Sequence, residues 1–453
     1  MIKLYNTLSR KKEIFKPRQG KKIKLFVCGP TVYDSPHLGH ARTYIAFDMI
    51  AKYLRERGYD IFYLQNITDI DDKIIKRAAE RNIAPQKLAR DFEKDYRNDM
   101  KALKVDGVTK YARATNYVKE ILSQTKRLLN KGYAYQIKDG IYYDISKFKN
   151  YGKLSKRTTI GAESAISRID ESLGKKNKGD FCLWKFSRPD EPKWKSPWGW
   201  GRPGWHIEDT AITEKFFGPQ YDIHGGGRDL IFPHHEAEIS QMEAISNKAP
   251  LVKYWLHTGF LTVDSQKMSK SLGNFITIKD FLKNHSPRLL RFLIIKSAYR
   301  SPIDYNGSAI LQAEKELERI DEFVDSLKTA RTRLPKNISW KLETDKKFGN
   351  AMDDDFNTPR AIAIIFRLIR QKNSLNAKDV LEFLRRADKF FDFIFWPRKE
   401  EEIPHELSRL MEQRQKYREQ KEWRKADEIR EEMKKLGWTI EDTDEGPKVK
   451  RLQ

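Results

Sequence analysis

Two short stretches carry side chains at spacings suited to a phosphorylated ligand. The first is CGPTVYDSPHLGHAR, residues 28–42, in which His37 and His40 flank Gly39. Where a strand gives way to a helix, free backbone N–H groups bind anions, and two imidazoles add donors that can follow a developing charge. Gly39 has no Cβ, so a flat ligand can approach its backbone. The same His pair also suits simple helix capping, and alone it does not decide between the two. The second stretch is KMSKSLGN, residues 267–274, with Lys267 and Lys270 among serines and a glycine. Such a basic loop fits a triphosphate whose charge moves onto pyrophosphate, or merely solvent.

The surrounding pattern supplies elements to hold these groups. KIKLFVCG, residues 22–29, is a short apolar run closed by Gly-Pro, as in a buried strand. Residues 39–57 space Ile45, Ala46, Met49, Ile50 and Leu54 as a helix does. DIFYLQNIT, residues 60–68, reads as a second strand, so strand, helix and strand form a βαβ unit and imply a parallel sheet. Residues 71–130 read as charged helices. Residues 131–200, rich in Pro, Trp and Gly near their end, read as an inserted lobe. Strands resume in QYDIHGGG and YWLHTGFLTV. The expected organisation is a split α/β domain (1–130 and 201–263), a segment holding the KMSKS loop (264–310), a helical domain (311–400) and a basic helical tail (401–453). Within that tail, residues 405–436 read as one long helix stopped by Gly437.

Composition narrows the classes. The 453 residues include 88 Lys and Arg against 64 Asp and Glu, a formal charge of +24. That surplus favours a polyanionic partner such as nucleic acid, or reflects only a lysine-biased surface. No apolar run approaches the ~20 residues of a membrane span, and the N-terminal MIKLYNTLSRKKEIF lacks the apolar core of a secretory signal. Cys28 and Cys182 are the only cysteines, which excludes a disulfide scaffold and fits a reducing, cytoplasmic setting.

In this order, HLGH and KMSKS resemble the two signatures of class I aminoacyl-tRNA synthetases. With NITDIDDKII (66–75), RPGWHIE (202–208), DIHGGGRDLIFPHHEAEI (222–239), YRSPIDY (299–305), MDDDFNTPRA (352–361) and the tail, nearly the whole chain resembles the cysteinyl-tRNA synthetase family. The resemblance implies a Rossmann-like catalytic domain followed by helical tRNA-binding parts. It implies an enzyme that joins cysteine to tRNA(Cys) through an adenylate made from ATP, with Mg2+ accompanying ATP; a monomer is expected over a homodimer. His37, His40, Lys267 and Lys270 would stabilise the phosphates, with Gly39, His40 and Lys270 binding ATP. Gly29, Thr68, Trp205 and His224 would line the amino-acid pocket. Trp205 also suits a core aromatic, and the glycines of DIHGGGRD a tight turn.

The family also implies one zinc ion. Cysteine and serine are near-isosteres that a shape-based pocket separates only ~10–200-fold, whereas zinc prefers a thiolate and can read the sulfur itself. Cys28, His234 and Glu238 match three family ligands. The fourth departs: after WHIE the family has Cys, and here stands Asp209. Asp is an accepted zinc ligand of the same charge, but a harder one. Cys182, in the apolar DFCLWKF, is expected to be a core residue rather than a replacement.

Two rival functions share this framework: a ligase joining cysteine to a small-molecule amine, and a non-catalytic RNA-binding relative without metal. The intact HLGH and KMSKS motifs count against the second. MDDDFNTP and the tail, which imply a tRNA-side region, count against the first.

Overall fold

The computed structural model describes residues 1–157, 172, 174–268, 272–329, 339–371, 376–396, 405–443 and 446–451. It divides into two units, residues 1–394 and 395–453.

The first unit opens with an antiparallel hairpin, β1 (Lys3–Asn6) and β2 (Lys11–Ile14). Its centre is a five-stranded sheet built from β3 (Lys22–Val27), β4 (Asp60–Ile67), β5 (Lys110–Arg113), β11 (Tyr221–Gly227) and β12 (Val252–Thr258). The order is β12-β11-β3-β4-β5, and every pairing is parallel. Leu25, Phe26 and Val27 are all fully buried, so β3 is covered on both faces, as parallel strands are. Helix α1 (Leu38–Glu56) crosses from β3 to β4 and buries thirteen of its nineteen residues. A helix buried that far round lies inside the unit, not on its surface. Its Asp48 accepts from the N–H groups of Asp106 and Gly107 and pairs with buried Arg291 at 3.0 Å. After β4 come α2 (Asp72–Glu80) and α3 (Pro85–Ala102), and after β5 comes α4 (Val118–Asn130).

Between the halves of the sheet lies a second, antiparallel sheet. Its strands β6 (Ala134–Ile137), β7 (Gly140–Tyr143), β8 (Phe181–Phe186), β9 (Trp194–Ser196) and β10 (Gly199–Pro203) run in the order β6-β7-β8-β10-β9. It extends to Pro203, so β10 leads directly into α5 (Trp205–Phe217). Helix α6 (Glu236–Ser246) joins β11 to β12. Beyond β12, β13 (Leu261–Val263) pairs with β14 (Gln266–Lys267) and, in parallel, with β15 (Ile303–Tyr305). Helices α7 (Ile278–Asn284) and α8 (Pro287–Ile295) precede β15. The bundle α9 (Gly307–Thr329), α10 (Ser339–Asp353), α11 (Thr358–Arg370) and α12 (Ala377–Phe391) follows it.

The second unit corrects the single tail helix expected over 405–436. It holds two helices, α13 (His405–Glu419) and α14 (Trp423–Lys435), then a hairpin of β16 (Trp438–Thr443) and β17 (Gly446–Arg451). The chain turns at Lys421, whose φ of 60° ends the first helix. Folding back brings Leu407, Leu410, Ile429, Met433 and Ile440 into one core, which a continuous helix could not do. Nor is the tail basic: residues 401–453 contain 13 Lys and Arg against 14 Asp and Glu.

Candidate active site

The chemistry-bearing residues gather where β3, β4 and β11 end, the edge of a parallel sheet at which ligands bind. Cys28 follows β3 directly, Thr68 follows β4, and His224 stands on β11. Helix α5 presents Glu208 and Asp209, while His234 lies in the irregular turn 231–235 that runs into α6. Glu238 is therefore one turn beyond His234 across that junction, and the two still meet, Nε2 to Oε1 at 3.1 Å.

Cys28, Asp209, His234 and Glu238 form a closed ring of donors. Cys28 Sγ lies 3.2 Å from Asp209 Oδ2, and Asp209 Oδ2 lies 3.0 Å from His234 Nε2. Glu238 Oε1 completes the ring, 3.8 Å from Cys28 Sγ. A tetrahedral ion with bonds of about 2.0–2.3 Å separates its donors by about 3.3–3.8 Å, so these four atoms need move only slightly to enclose one. All four residues are at most 5% exposed. Burial, and then the carboxylates of Asp209 and Glu238, push the Cys28 thiol well above its ordinary value. Burial, and then Asp209, likewise raise the carboxyls of Glu208 and Glu238. Asp209 Oδ1 and Glu208 Oε2 are buried without a hydrogen-bond partner. A cation would reverse each of these penalties, and the donor set fits one.

A second set, Cys28, His224, His235 and Glu238, overlaps the first and shares two of its members. His224 Nε2 and His235 Nε2 approach Cys28 Sγ at 3.4 and 3.2 Å. Their other nitrogens are held from behind: Tyr221 OH is 2.6 Å from His224 Nδ1, and His257 Nε2 is 2.8 Å from His235 Nδ1. His206 Nδ1 stands 2.9 Å from His234 Nδ1. His224, His234 and His235 thus stand around one cysteine, with His206 and His257 behind them. Sequence reasoning missed His206, His235, His257 and Glu208, although the doubled histidine of PHHEAE and the WHIE string were signals. Cys182 takes no part in either set among the described residues, and it is half-buried on β8 rather than fully buried as expected.

Burial first, and then Arg228, hold His257 down to about 3. An unfolded chain takes up that proton near pH 6.5. Stability from a neutral His257 is therefore present above pH 6.5 and lost as pH falls toward 3. Replacing it removes the loss: between pH 8 and pH 5, the wild-type protein should lose ~2 kcal/mol more stability than His257→Gln. Urea unfolding across that range measures the difference. A pH-independent gap would mean that His257 takes up its proton without disturbing the fold.

The two phosphate-type motifs, far apart in sequence, meet in space. His37 caps α1, its Nδ1 accepting from Gly39 N–H at 3.0 Å, and His40 Nδ1 accepts from His37 N–H at 3.1 Å. The capping alternative is thus part of the arrangement. Because both Nδ1 atoms accept, each neutral ring carries its proton on Nε2. Burial, and then His37, keep His40 well below its ordinary value. A Cβ on Gly39 would lie 2.7 Å from the His37 ring and 3.7 Å from Met268 Cε, so the KMSKS methionine sits against the HLGH glycine. The chain beyond KMSKS also fastens to the start of α1: Leu38 N–H donates to Ile276 O at 3.1 Å and Ile278 N–H to Pro36 O at 2.9 Å. Lys267 is exposed on β14. Lys270 lies outside the described residues.

The four residues expected to line an amino-acid pocket border the donor cluster. Gly29 N–H donates to Asn66 Oδ1 at 2.5 Å, and a Cβ there would strike Asn66 O at 1.7 Å. Thr68 Oγ1 donates to Glu208 Oε1 at 2.5 Å. Trp205 is half-buried and stacks on the His234 ring, centroids 4.4 Å apart, so it forms a wall of the site rather than the core. His224 is fully buried, stacked on Trp255. The glycines of DIHGGGRD lie at the end of β11, not in a tight turn. Side chains at Gly225 and Gly226 would collide with Phe47 and His235, so packing against α1 and the histidine cluster requires them.

Comparisons with known proteins match three family models. Residues 14–315 match the tRNA synthetases class I (C) catalytic domain, 347–392 the DALR domain, and 400–448 the cysteinyl-tRNA ligase anticodon binding domain. A cysteine–tRNA ligase of Thermococcus gammatolerans is 45% identical, the match covering 100% of this chain and 99% of that protein. One from Methanococcus maripaludis is 43% identical over 100% of both. Among solved structures, Mycobacterium tuberculosis methionyl-tRNA synthetase in complex with methionyl-adenylate shares the fold. It has a TM-score of 0.60 at 15% identity, covering 82% of this chain and 88% of that one. A leucyl synthetase ternary complex from Agrobacterium radiobacter gives the same score at 12% identity, covering 84% of each chain.

Proposed function

The chain belongs to the cysteine–tRNA ligases of the class I aminoacyl-tRNA synthetases, and on that premise we propose that it reads its amino acid through a zinc site in which Asp209 replaces a cysteine. It attaches cysteine to tRNA(Cys) at the expense of ATP, releasing AMP and pyrophosphate. The observation that carries the metal reading is the ring of Cys28, Asp209, His234 and Glu238, each donor within 3.8 Å of the next. Cys28, Asp209, His234 and Glu238 would hold zinc, which would supply a thiolate-preferring Lewis acid for the substrate sulfur.

The chain's own residues do the rest. Gly29, Thr68, Trp205 and His224 hold the small amino acid at the rim of the cluster. Its carboxylate attacks the α-phosphorus of ATP, the bond to the β-phosphate oxygen breaks, and cysteinyl-adenylate forms. The Nε2–H groups of His37 and His40 donate to the phosphates, Gly39 admits the nucleotide, and Lys267 and Lys270 neutralise the departing pyrophosphate. Mg2+ accompanies ATP as its counter-ion. A ribose hydroxyl at the tRNA 3′ end then attacks the adenylate carbonyl and AMP leaves. No helix among the described residues is long and apolar enough to cross a membrane. We place the enzyme in the cytoplasm, working as a monomer, since one chain supplies every residue of this scheme.

Cysteine-dependent pyrophosphate exchange, run with and without a chelator and followed by tRNA charging, tests this reading. Exchange that needs metal, followed by charging, supports it. Exchange without charging would favour a small-molecule amine as acceptor, and no exchange a non-catalytic RNA-binding role. A deletion separates the two half-reactions further. Removing residues 404–453, most of the second unit and of the match to an anticodon-binding model, should lower tRNA charging at least ~10-fold more than exchange. Equal losses would assign the tail to general stability.

A further inference from the structure

The hairpin that presents Lys267 is poorly equipped to hold itself together. Strand β14 has two residues, and its two-residue turn is Asp264–Ser265, with φ of 48° and 62°. Turns needing positive φ at both positions favour Asn-Gly, because a Cβ is strained there. Neither residue here is glycine, so the local chain resists the shape it adopts.

Asn274 Nδ2 donates to Lys267 O at 3.3 Å, and Asp264 N–H donates to Tyr305 O at 3.1 Å, but the turn itself is gripped by one side chain from outside the hairpin. Asp304, on β15, accepts from Thr262 Oγ1 at 2.6 Å and from Ser265 N–H at 2.7 Å, gripping the turn from both sides. Its second oxygen accepts from Asn306 Nδ2 at 2.9 Å. Asn306 in turn caps α9, its Oδ1 accepting from Ala309 N–H at 2.9 Å. The segment that carries Asp304 is also tied to α1. Buried Arg42 donates through Nη2 to the carbonyls of Ala298, Tyr299 and Ser301 at 3.1, 2.9 and 2.7 Å. Residues 298–306 thus fasten both the helix bearing His40 and the hairpin bearing Lys267.

We propose that Asp304 is a positioning residue for adenylate formation: it holds the Asp264–Ser265 turn and so sets where Lys267 stands relative to His37 and His40. This rests on the reading of Lys267 as a phosphate ligand. Asp304 touches no reactant itself and acts through the hairpin.

Exchange kinetics test it. Asp304→Ala should raise the KM for ATP and lower kcat, together ~10-fold or more in kcat/KM, while the KM for cysteine, zinc content and melting temperature stay near wild type. Asp304→Asn, which keeps an acceptor for Ser265 N–H, should lose less. In a Lys267→Ala background the further effect of Asp304→Ala should shrink below about threefold, since both act through one group. The sharpest arm is rescue. Adding Asp264→Asn and Ser265→Gly to Asp304→Ala supplies a turn that holds itself, and should restore most of the lost kcat/KM. Unchanged ATP kinetics in Asp304→Ala, or a defect that the new turn does not rescue, would overturn the proposal. So would a joint loss of cysteine affinity, zinc and thermal stability. A silent Lys267→Ala would instead locate the fault in the reading of the KMSKS motif, and the proposal would fall with it.

Discussion

Lys270→Ala is expected to slow adenylate formation roughly 10²–10³-fold, the scale seen when one preorganised donor to a developing charge is removed. The KM for cysteine should stay within about twofold, because the ammonium matters as pyrophosphate departs rather than when the amino acid binds. HLGH and KMSKS meet at the Gly39–Met268 contact, and the chain beyond KMSKS pairs with the start of α1. Met268 thus places the start of the motif beside His37 and His40. Pyrophosphate exchange at saturating cysteine reads the effect. An exchange rate equal to wild type would remove the KMSKS lysines from the chemistry and return that loop to solvent.

Asp209→Ala should cost the enzyme its metal. Loss of an outer partner of a metal ligand already weakens binding 10–100-fold, and Asp209 is argued to be a ligand itself. Zinc per chain should drop from near one to a small fraction after gel filtration. Discrimination against serine should fall toward the ~10–200-fold that shape alone provides. Asp209→Cys should do the reverse and retain zinc longer against a chelator, because a second sulfur suits a borderline-soft ion better than oxygen. Equal zinc retention in all three proteins would show that Asp209 stands beside the ion without holding it.

Much of the site was legible because its motifs are local strings. HLGH announces its helix start, PHHEAE the pair His234 and Glu238 that the structure brings together, and WHIED its own departure from the family. The parallel sheet was legible for a similar reason: KIKLFV and DIFYLQNI are apolar runs with a helical stretch between them. What escaped depends on contacts between distant residues. His257 joins the cluster through His235, and Glu208 ties Thr68 to it beside Asp209. The glycines of β11 are required by Phe47 and His235, which nothing near them in sequence reveals. The tail was misread because its helical periodicity runs through Lys421, and only the shared core of α13, α14 and β16 demands the bend there. Asp304 drew no attention because its partners in the hairpin sit 39 to 42 residues earlier in the chain.

On this reading, an ion held by Cys28, Asp209, His234 and Glu238 reads the sulfur of the substrate. X-ray absorption at the zinc edge tests it most directly, recorded on the purified protein before and after addition of cysteine. About one zinc per chain is expected, with one sulfur, one imidazole nitrogen and two oxygens, and a gain of one sulfur when cysteine binds. Serine should leave the spectrum unchanged. A shell with two imidazoles would move the ion to the His224 and His235 side. A protein free of metal that still binds cysteine and rejects serine would contradict the claim outright.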